Sequence, residues 1–280
     1  MSFSVLNRFQ RDYELIIRSG ARQLTIKPPF RIQFDATKST NGVGLNKMTI
    51  SIYGLGRNKR EFVTKDAEEK KLVSCEFKVG YQGSIERLFT GQLNKGFNKL
   101  SDDGFVTTIE VFDGGYDYLN SYTSKTVSGK VNAINTILLD MPNTALGKVS
   151  LPTELIRPKV LVGSSSKLLE ELAGSDQELF IDDGRINLIN KNEVVSTFIP
   201  IVSAETGLLN TPQREFQKIT FDTLMNPSIK IAGRVSLKSI TAPQYDGVYR
   251  IDSIIYSGDL EGNEWKQSVT GFLANNVSVI

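Results

Sequence analysis

The stretch FRIQFDATKSTNGVGLNKMTISIYGL (residues 30–55) decides how the chain is read. Phe30, Ile32 and Phe34 alternate with Arg31, Gln33 and Asp35; Met48, Ile50 and Ile52 alternate with Thr49 and Ser51. A period of two puts one side of an extended segment on a core and the other toward water. Two strands are therefore expected, joined by a long, soft loop over residues 36–47 that carries Lys38, Asn41, Gly42, Gly44 and Lys47. Nothing in the stretch looks able to do chemistry.

The same alternation recurs outward from it. Val73, Cys75, Phe77, Val79 and Tyr81 form one run, residues 85–93 a second, and Phe105, Ile109 and Val111 a third. RNKREFVTKDAEEKK (residues 57–71) reads as a solvated face with a helical turn. The period then changes. In VNAINTILLDM (residues 131–141) Val131, Ile134, Ile137, Leu138 and Met141 recur at helical spacing, and Pro142 stops the run. KLLEELAG (residues 167–174) repeats the pattern, with serines at 164–166 to cap its start and Gly174 its end. Between them NTALGKVSLPTELIRPK (residues 143–159), broken by Pro152 and Pro158, reads as loop. Strands return with LFIDDGRINLI (residues 179–189), where Asp183-Gly184 suits a type I′ hairpin turn. Further strands are expected at 219–224, 234–239, 248–256 and 264–273. The reading is a mainly β (α+β) chain: a first β domain with a basic N-terminal arm at 1–125, a small helical insert at 126–175, and a second β domain at 176–280. Each β block is near the size of a compact barrel or sandwich.

Composition narrows the function classes. The 280 residues are 40% hydrophobic and 23% charged, ordinary for a soluble globular protein. No apolar run approaches the ~20 residues of a membrane span, and MSFSVLNRFQRDYELII has no signal-peptide core. Residues 1–125 hold 19 Lys/Arg against 14 Asp/Glu, and residues 126–280 hold 14 against 17, too mild an imbalance for a duplex-binding groove. There is no histidine and one cysteine, Cys75, so the usual general base and the usual zinc ligand sets are missing. Ser164 and Lys167 match S-x-x-K, but a helix start favours serine for capping. The acid pairs Asp102-Asp103, Glu170-Glu171 and Asp182-Asp183 read as exposed acids on turns and a helix. Gly54 and Gly56 are followed by Lys59 where a dinucleotide loop needs glycine, and Gly42 and Gly44 lack a Gly-Lys-Ser/Thr ending. No cofactor or metal is expected.

Three stretches resemble the baseplate hub proteins of contractile-tailed phages. The first is residues 29–62, with Tyr53, Gly54 and Leu55 at its corner. The second is SAETGLLNTPQREFQKITFDTLMNPSIKIAGRVSLKS (residues 203–239), with Gly207, Pro212, Asn226, Pro227 and Gly233 at its turns. The third is YRIDSIIYSGDLEGNEWKQSVTGF (residues 249–272), with the Gly258-Asp259 corner and Trp265. The resemblance implies two tail-tube-like β domains in a homotrimeric hub, its doubled units imitating sixfold symmetry. Such a hub joins the hexameric tail tube to the trimeric central spike, holds the C-terminus of the tape-measure protein, contacts surrounding baseplate proteins and passes phage DNA through its lumen without specific binding. The chain would then be made in the host cytoplasm and reside in the virion. The loop residues Lys38, Asn41, Gly42, Gly44 and Lys47 would reach an adjoining ring or subunit. Gly207, Asn226, Pro227, Gly233, Gly258 and Asp259 would be structural turns. A glycan- or protein-binding module is the alternative, prompted by Tyr116, Tyr118 and Tyr122; a cell-wall hydrolase is a third reading.

Overall fold

A computed structural model describes residues 10–41, 45–68, 72–102, 104–150, 157–173, 175–274 and 277–280. The first part comprises β1 (Arg11–Ser19), β2 (Arg22–Ile26), β3 (Ile32–Ser39), β4 (Lys47–Tyr53), α1 (Arg57–Glu68), β5 (Val73–Tyr81), β6 (Ser84–Ser101) and β7 (Gly104–Phe112). A middle part follows with α2 (Gly115–Asn120), β8 (Tyr122–Val127), α3 (Lys130–Leu139), β9 (Ala145–Val149), β10 (Lys159–Ser164), α4 (Ser165–Leu172), β11 (Gln177–Asp182) and β12 (Arg185–Asn190). The last part comprises β13 (Glu193–Val194), β14 (Ile201–Val202), β15 (Gln213–Glu215), β16 (Lys218–Leu224), β17 (Arg234–Leu237), β18 (Gly247–Asp259), β19 (Trp265–Leu273) and β20 (Ser278–Val279).

The fold is mainly β, as expected. One large sheet runs β15-β16-β19-β18-β3-β4-β7-β6-β5-β1-β2, with β17 beside β18 and β14 beside β17. Strands from before and after the helical segment meet in it, where β18 pairs antiparallel with β3. Alternation does the sorting: Ile32, Phe34 and Ala36 of β3, Met48, Ile50 and Ile52 of β4, and Val73, Cys75, Phe77 and Val79 of β5 all turn inward. The core crosses the joint. Phe34 stands edge-on between Phe77 and Trp265, at 4.8 and 5.5 Å between ring centres, and the Trp265 indole donates to the Gly80 carbonyl at 3.2 Å. Edge-to-face aromatic pairs add ~0.5–1.5 kcal/mol each beyond their buried area.

A second, smaller core gathers Ile134 and Ile137 of α3, Leu168, Leu169 and Leu172 of α4, and Ile181, Ile186 and Leu188 of the β11–β12 hairpin. Phe180 and Ile189 of the same hairpin belong to the large core. The hairpin is thus buried on both faces, which is why its sequence is almost continuously apolar. The sequence reading placed it in the second β domain; its pairing with β9 ties it to the helical part. Asp183 and Gly184 both have positive φ, 52° and 73°, as a type I′ turn demands.

Several local expectations are corrected. β3 continues to Ser39 instead of releasing a loop at residue 36, because β18 supplies a partner for Thr37, Lys38 and Ser39. Residues 143–159 hold β9 and the first residue of β10, β9 being recruited as a parallel neighbour of β12. Part of the basic N-terminal arm, Arg11 to Ile26, is the β1–β2 hairpin. The charged segment after Gly56 forms a full helix, α1, rather than a turn. Gly42, Gly44, Asp103, Pro152 and Gly174 lie outside the described residues.

Candidate assembly site

The large sheet contains the same connectivity twice. β3-β4 and β6-β7 are hairpins set side by side through β4 and β7; β15-β16 and β18-β19 are hairpins set side by side through β16 and β19. The linker between hairpins supplies one more strand in each unit, β5 beside the first part of β6 and β17 beside the first part of β18. Both long strands then slip register against their hairpin partner, between Leu93 and Lys95 in β6 and between Ile251 and Ser253 in β18. Such bulges bend a strand and re-aim it. Past the slip, β18 takes β3 as its second neighbour. Past Gln92, β6 has β7 alone among the described residues, and β15 has β16 alone.

The run β15-β16-β19-β18-β3-β4-β7-β6 therefore ends in two open edges. Unpaired backbone N–H and C=O groups on such edges are templates for a further strand. Large apolar side chains stand there too: Phe97 and Leu100 on β6, and Phe216 just after β15, 91% exposed. Away from the core the run presents a hydroxyl-rich face. Ser51 and Thr108 meet at 3.0 Å, Ser257 donates to Asp35 at 2.9 Å, and Thr220 and Thr270 meet at 3.3 Å. Charges on this face are mixed, with Lys47 lying 3.7 Å from Glu110.

The internal β18–β3 joint shows what a finished seam looks like. At one end Asp259 accepts from Arg31 at 2.8 and 3.2 Å, from Gln33 at 2.7 Å and from the Glu261 backbone N–H at 3.0 Å. Burial works against the Asp259 charge, but these donors outweigh it and hold the carboxyl well below its usual range. Arg11 adds a donor to the Asp259 and Gly262 carbonyls, tying β1 to the same corner. At the other end Lys38 is fully buried, its ammonium 2.6 Å from Asp182 and 3.1 Å from Asp183. Burial opposes that charge too, and the two carboxylates overcome it, so the amine stays protonated. Asp113 accepts the backbone N–H groups of Asp183 and Gly184 at 2.6 and 2.7 Å. Arg87 and Lys230 lie 3.4 and 3.7 Å from Asp183, and the buried Tyr256 lies close by. The carboxylates of Asp113, Asp182 and Asp183 converge, and their counter-charge comes from Lys38 and, at Asp183, also from Arg87 and Lys230.

Burial pushes the Asp113 carboxyl up to about 7, with Lys38 pulling the other way. Between its ordinary value of 3.8 and about 7 the folded chain holds a proton that the unfolded chain releases. Stability from this group therefore rises as pH is lowered from 7.5 to 5 and is lost above about 7. The carboxylates whose values are lowered, Glu14, Glu61, Asp183, Glu193 and Asp259, act oppositely and only below about pH 5. Asp113→Asn is expected to flatten the pH 5–7.5 limb of a denaturant-midpoint profile; an unchanged slope would contradict the assignment.

The sequence-selected residues fall into distinct places. Lys38 is not offered to a partner; it is spent on Asp182 and Asp183, which in turn are not exposed acids. Asn41 is exposed and donates to both oxygens of Asp252 at 2.9 Å, and Lys47 is exposed on the hydroxyl-rich face. Leu45 packs against the second core and Asn46 donates to the Ile181 carbonyl, so the loop's flanks are anchored. Asn226 accepts from Ser228 in a turn beside the buried Pro227. Gly207 has φ 112° and packs on Leu224. At Gly233 a Cβ would come within 2.9 Å of the Lys230 carbonyl. Asp113, Arg250 and Glu178 were not found from sequence. Arg250 and Glu178 form a buried ion pair between β18 and the β11–β12 hairpin, and only the apolar run around Asp182-Asp183 hinted that charges there would be covered.

Residues 150–264 match the baseplate hub gp41 family. No curated protein sequence matches the chain. The fold is similar to the 43 kDa tail protein of prophage MuSo2 from Shewanella oneidensis, with TM-score 0.65 at 11% identity over 94% of this chain and 97% of that one. It is similar to the tail protein from Neisseria meningitidis MC58, with TM-score 0.64 at 11% identity over 95% and 99%. It is also similar to the Escherichia coli c3393 protein, a type VI secretion component itself similar to the T4 tail proteins gp27 and gp5, with TM-score 0.65 at 6% identity over 92% and 77%. The chain thus shares its fold with these tail and secretion proteins, and residues 150–264 are in addition similar to the baseplate hub gp41 family.

Proposed function

We propose that three copies of this chain close into a ring of six similar β units, joining a sixfold tail tube to a threefold central spike in a contractile tail. The observation that carries the reading is the repeated connectivity, already joined once head to tail at β18–β3 and ending in the two complementary edges such a joint uses. A heterologous contact repeated in one direction closes into a ring when its rotation allows. The hydroxyl-rich face then lines the lumen. Its mixed charges and short polar side chains provide no dense positive surface to hold DNA phosphates, which suits passage without capture. The tape-measure C-terminus and the surrounding baseplate proteins complete the set of partners, and the role is structural rather than catalytic. Of the described residues at the β3–β4 connection, Asn41 and Lys47 are the exposed ones and would be available to an adjoining ring.

Copy number in purified tails tests the ring. Quantitative mass spectrometry against the tail-tube protein is expected to give three copies per tail end, an assembly of about 93 kDa from 31.1 kDa chains. One or six copies, or a tail reconstruction placing the chain off the central axis, would overturn it.

A further inference from the structure

The two units can be superimposed residue by residue through their pairings. Lys95 opposes Glu110, Glu110 opposes Thr49 and Thr49 opposes Asp35 in the first unit. Ser253 opposes Thr270, Thr270 opposes Thr220 and Thr220 opposes Gln213 in the second. Starting from the bulges at Asn94 and Asp252, Asp35 thus corresponds to Gln213, Thr37 to Glu215, Ile255 to Phe97 and Ser257 to Lys99. The internal joint pairs Ser257 with Asp35, Ile255 with Thr37 and Ile254 with Lys38.

Resting on the ring reading, we propose that copies are joined by an antiparallel strand pair in this same register: Phe97, Asn98 and Lys99 of one copy lie opposite Glu215, Arg214 and Gln213 of the next, and Phe216 of that next copy lies opposite Gly96. Phe216 is the first residue beyond the last β15–β16 pair, as Lys38 is the first beyond the last β3–β4 pair. It takes the place of Lys38 in the seam. Gly96 sits there with no side chain, and the α1 backbone at Val63 and Thr64 stands 3.4–3.5 Å from where a Cβ would be. The α1 backbone thus already covers Gly96, and the Phe216 ring meets the flank of that helix at the end of the seam. That contact accounts for a costly feature of the lone chain, a phenylalanine 91% exposed in the β15–β16 turn. Charge fits as well. Glu215 falls diagonally between Lys95 and Lys99, within reach of both across adjacent strands. Phe216 carries no charge, so it does not need the buried acids that Lys38 needs.

The chain's one cysteine, Cys75, is buried, so paired cysteines report the register cleanly. Tails assembled with Asn98→Cys/Arg214→Cys are expected to give a three-chain band on a non-reducing gel. The off-register pair Lys95→Cys/Arg214→Cys should give none. Phe216→Asp, at an exposed position, is expected to leave the thermal midpoint of the free chain unchanged and lower its incorporation into tails at least tenfold. Three copies per tail with no cross-link at 98–214, or normal incorporation of Phe216→Asp, would overturn this seam while leaving the ring intact. A different copy number would remove the ring itself.

Discussion

Lys38→Met is expected to destabilise the folded chain by about 3–5 kcal/mol, the range for stripping one partner from a buried ion pair. Its side chain is fully buried while Asp182 and Asp183 are only 17% and 13% exposed, so neither carboxylate can recover its hydration without moving the hairpin. Burial already disfavours the charge on Asp183, and Lys38 is the largest of the influences that keep it ionised. Chemical denaturation at pH 7.5 measures the effect. The triple variant Lys38→Met/Asp182→Asn/Asp183→Asn is expected to regain much of the loss, since the carboxyl it leaves in the cluster, Asp113, is one that burial favours in its neutral form. A loss under 1 kcal/mol for the single variant would mean that water enters the cluster.

Gly258→Val comes next in size, at about 3 kcal/mol, the upper range for overfilling a packed core. A Cβ at Gly258 would lie 2.3 and 2.5 Å from two Phe34 ring carbons and 3.0 Å from Trp265. The ring cannot retreat freely, because it is wedged between Phe77 and Trp265. Adding Phe34→Leu to Gly258→Val should restore part of the stability by removing the atoms that clash. If calorimetry finds both variants equally unstable, the strain lies in the backbone and not against Phe34.

Much of this architecture was legible in the chain. The alternation in residues 30–55 and 73–81 marked strands because each has one wet face. Asp183-Gly184 marked a turn because few other pairs tolerate two positive φ angles. What escaped was non-local. The length of β3 depends on β18, more than two hundred residues away, so a stretch rich in small and polar residues looked like a free loop. Lys38 read as a partner-seeking charge because local sequence cannot reveal that three carboxylates converge on it. β9 was hidden by its glycine and the nearby prolines, and it exists only because β12 offers an edge. The residue-by-residue correspondence of the two units was invisible as sequence, since Lys38 and Phe216, or Asp35 and Gln213, share a place in the topology and no chemistry.

The β18–β3 joint has a bearing on how often molecules must collide. Six separate wedges would need about five productive encounters to complete a circle, each losing translational and rotational freedom. In the proposed ring, covalent continuity would make every second contact intramolecular, at high effective concentration, so about two encounters would suffice. The tethered contact can then tolerate buried charge that would hinder a bimolecular one, while the untethered contact is free to rely on an aromatic side chain that docks without first shedding tightly held water.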